Sequence, residues 1–131
     1  MGKIIKVAAV VFISLIGLAI TSLVLVSEFL SGMCGNEIIQ NALSPGNHFK
    51  AILFSRDCGA TTNFNTHISL IAPDEGLPNE SGNVFIVNGD PKDLNIEIDW
   101  LTPTDLVVRH AAGLTAHKKE NRYRGITVTY K

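Results

Sequence analysis

The chain has 131 residues, with 11 Lys plus Arg against 12 Asp plus Glu, a net charge of −1 and 46% hydrophobic residues. A charge this close to neutral argues against an electrostatic nucleic-acid binder, and the length suits one compact domain rather than several. Much of the apolar content sits in one N-terminal segment, and both cysteines, Cys34 and Cys58, lie beyond it.

Residues 7–26 are an uncharged apolar run of 20 residues, and Lys3 and Lys6 are the only charged side chains before it. A helix of that length spans about 30 Å, the thickness of a bilayer's hydrocarbon core. The run predicts a membrane anchor over 1–27. Its C-terminal flank carries Glu28 and Glu37 and no Lys or Arg as far as Gln40. The positive-inside rule then puts the N-terminus in the cytoplasm and the C-terminal domain on the periplasmic or extracellular side of a single-pass cell-membrane protein.

Two rival readings deliver the domain to the same side. A cleaved signal peptide typically has a shorter apolar region, about 7–15 residues, and a small-x-small site; the 27–34 stretch (SEFLSGMC) offers no clean one. Lipidation at Cys34 is suggested by the lipobox-like Leu30-Ser31-Gly32-Met33-Cys34, but Met33 stands where a small residue is expected. Ser14, Gly17, Thr21 and Ser22 lie in the run without a GxxxG pair, so a single lipid-facing helix is expected rather than a specific dimer.

Residues 28–48 read as linker and turn. The 34–43 stretch (CGNEIIQNAL) suggests a helical turn or two around Ile38, Ile39 and Leu43, stopped by Ser44-Pro45-Gly46-Asn47. An exported β domain is expected over 49–131. Strands are predicted at 49–55, 64–70, 84–87, 94–100, 106–110 and 126–130. In 64–70, Phe64, Thr66, Ile68 and Leu70 point one way and Asn65, His67 and Ser69 the other. In 94–100, Leu94, Ile96, Ile98 and Trp100 form an inner face, with Asn95, Glu97 and Asp99 outside. The 73–83 stretch (PDEGLPNESGN) has the composition of a surface loop.

The expected fold is mainly β: a transmembrane helix followed by a small antiparallel meander, closed as a sandwich or curled sheet. Its core face is expected to use Phe49, Ile68, Val84, Ile96, Ile98, Trp100, Val108 and Val128. An even cysteine pair in an exported domain is read as one disulfide. Closing that loop of about 25 residues stabilises by roughly 3–4 kcal/mol in the chain-entropy model. The alternative is a redox or catalytic thiol, which the absence of a CxxC pair disfavours.

The motifs Cys34-Gly35-Asn36-Glu37, Ser44-Pro45-Gly46 and Arg56 through Thr62 (RDCGATT) resemble a family of small, uncharacterised bacterial envelope proteins. The family pattern has one residue between Pro and Gly, whereas Pro45 and Gly46 are adjacent. The resemblance implies an envelope location and a Cys34–Cys58 pairing, and no catalytic assignment.

Two candidate sites emerge from the residues. Arg56, Asp57, Thr61 and Thr62 form a candidate recognition loop, in which Arg56 grips a carboxylate or phosphate; the structural alternative is a tight corner held by the disulfide and an Asp57-to-backbone bond. Lys118, Lys119, Arg122 and Arg124 form a candidate basic patch for an anionic lipid or an envelope protein. The histidines at 48, 67, 110 and 117 lack ligand spacing and are expected to be solvated, and neither metal nor cofactor is expected. Ser69 with His67, and Glu97 with Asp99, share strand faces but are read as ordinary surface residues. The expected function is a membrane-anchored extracytoplasmic binding or structural module without enzymatic activity. The alternative is an immunity or inhibitor-type factor, or a small envelope hydrolase using the 56–62 loop.

Overall fold

The computed structural model describes residues 1–31, 33–59 and 63–131. It divides into two units, Met1–Met33 and Cys34–Lys131. The first unit is one helix, α1 (Gly2–Ser31), and its Gly2–Leu30 span is long and apolar enough to cross a membrane. Hydroxyls within it bond to its own backbone. Ser14 donates to the Val10 carbonyl at 2.9 Å, Thr21 to Gly17 at 2.7 Å and Ser22 to Leu18 at 2.9 Å. These bonds need no water, the condition a bilayer core imposes on polar groups.

The second unit is a two-sheet β domain. In chain order its elements are β1 (Gly35–Leu43), β2 (Lys50–Asp57), β3 (Asn65–Ile71), β4 (Phe85–Asn88), the short helical turn α2 (Pro91–Leu94), β5 (Glu97–Thr102), β6 (Asp105–Arg109), β7 (Ala116–Lys119), β8 (Arg122–Tyr123) and β9 (Ile126–Tyr130). One sheet has the order β1-β2-β3-β4-β7 and the other β5-β6-β9-β8. Pairing is antiparallel throughout except for β6 and β9, which run parallel.

The inner faces of the two sheets form the main core. Leu53, Ile68, Leu70, Phe85 and Val87 come from the first sheet, and Ile98, Leu106, Val108, Ile126 and Val128 from the second. All eight residues expected on the core face lie in or against this cluster; Phe49 and Trp100 are only partly buried. The α2 turn is set by Asp90, whose side chain accepts from Lys92 N, by Pro91 at its start, and by Asn95 in the left-handed region at its end. Leu94 therefore belongs to this turn, and β5 begins at Glu97 rather than at Leu94.

The 34–43 stretch departs from expectation. It is neither linker nor helical turn but β1, an edge strand paired with β2 from Gly35↔Asp57 to Leu43↔Lys50, so the β domain starts before residue 49. A register shift between Ile38 and Gln40 breaks its alternation. The turn behind it is organised by buried Ser44, whose Oγ accepts from His48 N at 3.2 Å and Phe49 N at 3.0 Å. Gly46 (φ 83°) and Asn47 (φ 56°) supply the left-handed conformations the turn requires.

A side-chain seam joins the two sheets where β1 meets β5. Gln40 Nε2 donates to the Ile98 carbonyl at 2.8 Å, and Ile98 N donates to Gln40 Oε1 at 3.1 Å. The Gln40 amide thus takes the place of a neighbouring strand at Ile98. Two residues on, Trp100 Nε1 donates to the Ala42 carbonyl at 2.9 Å.

Candidate functional site beneath the 73–83 flap

The first sheet is covered on both faces. Register places Ile52, Phe54 and Arg56 of β2, His67, Ser69 and Ile71 of β3, Ile86 of β4 and Lys118 of β7 on the face turned away from the main core. The 73–83 segment lies over part of this face as a flap. Ile52, Phe54 and Ile71 form a second buried cluster, with Leu77 of the flap packed against it.

Polar side chains fasten the flap. Asn83 Oδ1 accepts from Leu70 N at 2.8 Å while its Nδ2 donates to the Leu70 carbonyl at 2.9 Å. Asn83 N donates to Ser69 Oγ at 3.3 Å. Lys50 Nζ donates to the carbonyls of Pro73, at 3.1 Å, and Glu75, at 2.5 Å. Asn36 Nδ2 donates to the Pro78 and Glu80 carbonyls at 3.0 and 3.3 Å.

Arg56 is part of this fastening. It lies within β2, not in a loop, and is only 8% exposed. Its Nη1 donates to Asn36 Oδ1 at 2.6 Å, Asn79 Oδ1 at 2.9 Å and the Glu80 carbonyl at 3.4 Å. Burial lowers its pKa, and the Glu80 charge opposes that shift. Its guanidinium is engaged in holding the flap, so Arg56 has a structural role here, though through the flap rather than the tight corner of the structural alternative. Asp57 ends β2 with Oδ1 accepting from Gly59 N at 2.9 Å, the turn bond of the structural alternative. Thr61 and Thr62 lie outside the described residues. Cys34 and Cys58 form a disulfide between the chain just before β1 and the chain just after β2.

His67 is also corrected. It is 3% exposed rather than solvated. Its ring stacks on Phe54 with centroids 5.3 Å apart, and its Nδ1 accepts from Gly82 N at 2.9 Å. The ring is therefore a neutral imidazole carrying its proton on Nε2. That Nε2 is buried without a hydrogen-bond partner. Burial, and secondarily the Arg56 charge, lower the pKa to about 4. Gly82 is held closely: a Cβ there would lie 2.8 Å from both the Ile68 and Phe85 carbonyl oxygens.

The remaining candidates are dispersed. His117 Nε2 lies 2.8 Å from Asn88 Oδ1, and His110 Nδ1 lies 2.7 Å from the Ala111 carbonyl. Among the described residues no group of three His, Cys, Asp or Glu side chains is placed to hold a metal. Glu97 and Asp99 are exposed, and Asp99 pairs with Arg109 at 3.3 Å. The basic patch divides between two sheets, with Lys118 and Lys119 on β7 and Arg122 on β8. Lys119 Nζ stands 4.7 Å over the Tyr130 ring, and the Arg124 guanidinium 5.5 Å from the Tyr123 ring centroid. Tyr130 donates its hydroxyl proton to the Glu120 carbonyl at 2.7 Å; burial, with the Glu120 charge, raises its pKa.

One element of the patch reaches the flap. A polar cleft of about 200 Å³ is lined by Glu75, Pro78, Glu80 and Asn83 from the flap, by Tyr123 of β8 and Arg124 of the β8–β9 turn, and by the end of β3 at Leu70 and Ile71. Asn83 Nδ2 donates to Tyr123 Oη at 3.3 Å across it. Arg124 (φ 48°) and Gly125 (φ 83°) are the two left-handed residues of a two-residue hairpin loop. Asn or Asp usually occupies the first of these positions, so an Arg there is conformationally costly. Among the described residues Arg109–Asp99 is the one ion pair, so Arg124 shares the cleft with two carboxylates without bonding to either. The sequence held a partial signal for this site: Arg56 follows the apolar run of β2, His67 and Ser69 share the polar face of β3, and Asn79 and Asn83 punctuate the loop. It held none for the meeting of Glu75 and Glu80 with Tyr123 and Arg124.

Comparison with protein-family models, curated proteins and solved structures finds no match.

Proposed function

We propose that the protein is a membrane-tethered binding module whose β domain is displayed on the periplasmic or extracellular side, and that the flap cleft receives its ligand. The topology is supported by Lys3 and Lys6 before an apolar helix and by a disulfide suited to an oxidising compartment. It agrees with the resemblance to small envelope proteins. Protease added to spheroplasts should digest the β domain, and the remaining N-terminal fragment should resist alkaline extraction from membranes. A domain protected in spheroplasts and digested only after they are lysed contradicts the topology.

The observation that carries the binding role is the cleft itself, lined by one cationic residue, Arg124, and two acidic ones, Glu75 and Glu80, with no ion pair among these described residues closing it. A small zwitterion would satisfy both sides, its anion on Arg124 and its cation on Glu75 or Glu80. Titrating labelled full-length protein in detergent micelles with glycylglycine should shift the amide resonances of Glu80, Tyr123 and Arg124. Arg124→Ala should weaken binding by roughly tenfold, as expected for loss of a charged hydrogen bond. Absence of such shifts at millimolar dipeptide, or shifts indifferent to Arg124→Ala, refutes the cleft as the site.

A further inference from the structure

His67 is a buried titratable side chain of β3 that meets the flap at Gly82. Its Nδ1 lone pair receives the Gly82 N–H, and Phe54 covers the ring. An imidazolium has N–H groups on both nitrogens and no acceptor. Protonation would therefore set one N–H against another at the Gly82 contact. It would also place a charge beside a buried Nε2 that already lacks a partner.

The surrounding charges do not relieve this. From β2, Arg56 adds like charge, Lys50 lies at the far end of the same strand, and Asp57 is exposed at the strand's end. β4 contributes Ile86 beside His67 and nothing titratable. On β7, Lys118 pairs with Ile86 and is a further cation on this face. From the flap, Glu80 acts on Arg56, Glu75 accepts weakly from Ala72 N, and Asp74 makes no bond to His67. Among the described residues no carboxylate accepts a hydrogen bond from the imidazole. Gly82 also sits where a side chain would not fit, since a Cβ there would lie 2.8 Å from the Ile68 and Phe85 carbonyl oxygens.

We infer that the 73–83 flap is an acid-released lid, in which protonation of His67 breaks the Gly82 contact, lifts the flap from β2 and β3, and dismantles the cleft that flap residues line. As regulation of that cleft the inference rests on the binding role proposed above; as a motion of the flap it does not.

The direction of the pH effect is set by His67. Its pKa is about 4 with the flap closed and near the ordinary 6.5 once exposed. The closed state is therefore fully favoured above about pH 6.5, and that advantage is lost as pH falls towards 4. Hydrogen exchange of flap amides in full-length protein in micelles, without ligand and corrected for intrinsic rates, reads the opening directly. Opening should rise roughly 100-fold between pH 7 and pH 4, while β6 amides stay protected. His67→Asn offers an amide oxygen to Gly82 N–H without titrating, and its flap should show no such rise. A flap equally protected at both pH values, or an identical rise in His67→Asn, overturns the lid. If His67→Asn does not fold, the wild-type His67 ring titration followed by NMR decides: a midpoint near 4 supports the lid and one near 6.5 overturns it. A flap that opens as expected in a protein that binds no dipeptide would support the lid and reject only the ligand proposed for the cleft.

Discussion

Strands β3 and β5 carry the same alternation of apolar and polar residues and meet opposite fates. In β5, Ile98 is buried on the inner face while Glu97 and Asp99 are exposed, as a half-buried strand should be. In β3, Ile68 and Leu70 face the main core, yet His67 and Ser69 on the opposite face are buried as well. The difference does not lie in the strands. It lies in the chain immediately beyond each of them. β3 leads into an eleven-residue flap that folds back over its polar face, fixed by Asn83 and Arg56. β5 leads directly into the hairpin to β6. Alternation identifies the more apolar face of a strand; whether the other face is wet depends on chain elsewhere.

The largest test of this contrast removes a ring from beneath the flap. Phe54 is fully buried and stacked on His67, so Phe54→Ala should lower the unfolding free energy by about 4 kcal/mol. The matching change on the wet face of β5 is Asp99→Ala, which removes an ion pair whose members are 60% and 47% exposed. It should cost under about 0.5 kcal/mol. Urea denaturation of the full chain in micelles measures both. If the two variants proved equally mild, the flap face would not be the second core that the burial of Ile52, Phe54 and Ile71 indicates.

The same contrast explains how much of the molecule is legible in its sequence. The apolar helix, the cysteine pair and the strands with long apolar runs are legible, because burial of Ile68, Ile98 or Val128 needs only their own periodicity. β1 is illegible because its register shift near Ile39 breaks the period, and an edge strand with Asn36, Glu37, Gln40 and Asn41 carries little apolar signal. β7 and β8 span four and two residues, too few to display any period. Arg56 reads as a loop residue because charge next to a Cys-Gly pair usually marks a turn. Its three acceptors come from Asn36, Asn79 and Glu80, at least twenty positions away in sequence. Contacts of that range leave no local pattern.

The smaller test bears on β5, whose independence of distant chain is incomplete. Its Ile98 backbone is satisfied on the open side by one side chain, Gln40 of β1. Gln40→Ala would leave the Ile98 N–H and carbonyl without those partners, at a cost of about 2 kcal/mol if water does not replace them fully. Gln40→Glu keeps the acceptor for Ile98 N and loses the donor to its carbonyl, so it should fall between wild type and Gln40→Ala. The local readout is hydrogen exchange: the Ile98 amide should lose protection in Gln40→Ala, while Val108, its partner residue on β6, should not. An Ile98 amide equally protected in both proteins would mean that the sheet edge is sealed by something other than the Gln40 amide. In that case β5 would be the self-sufficient strand its alternation suggests, and the contrast with β3 would be complete rather than one of degree.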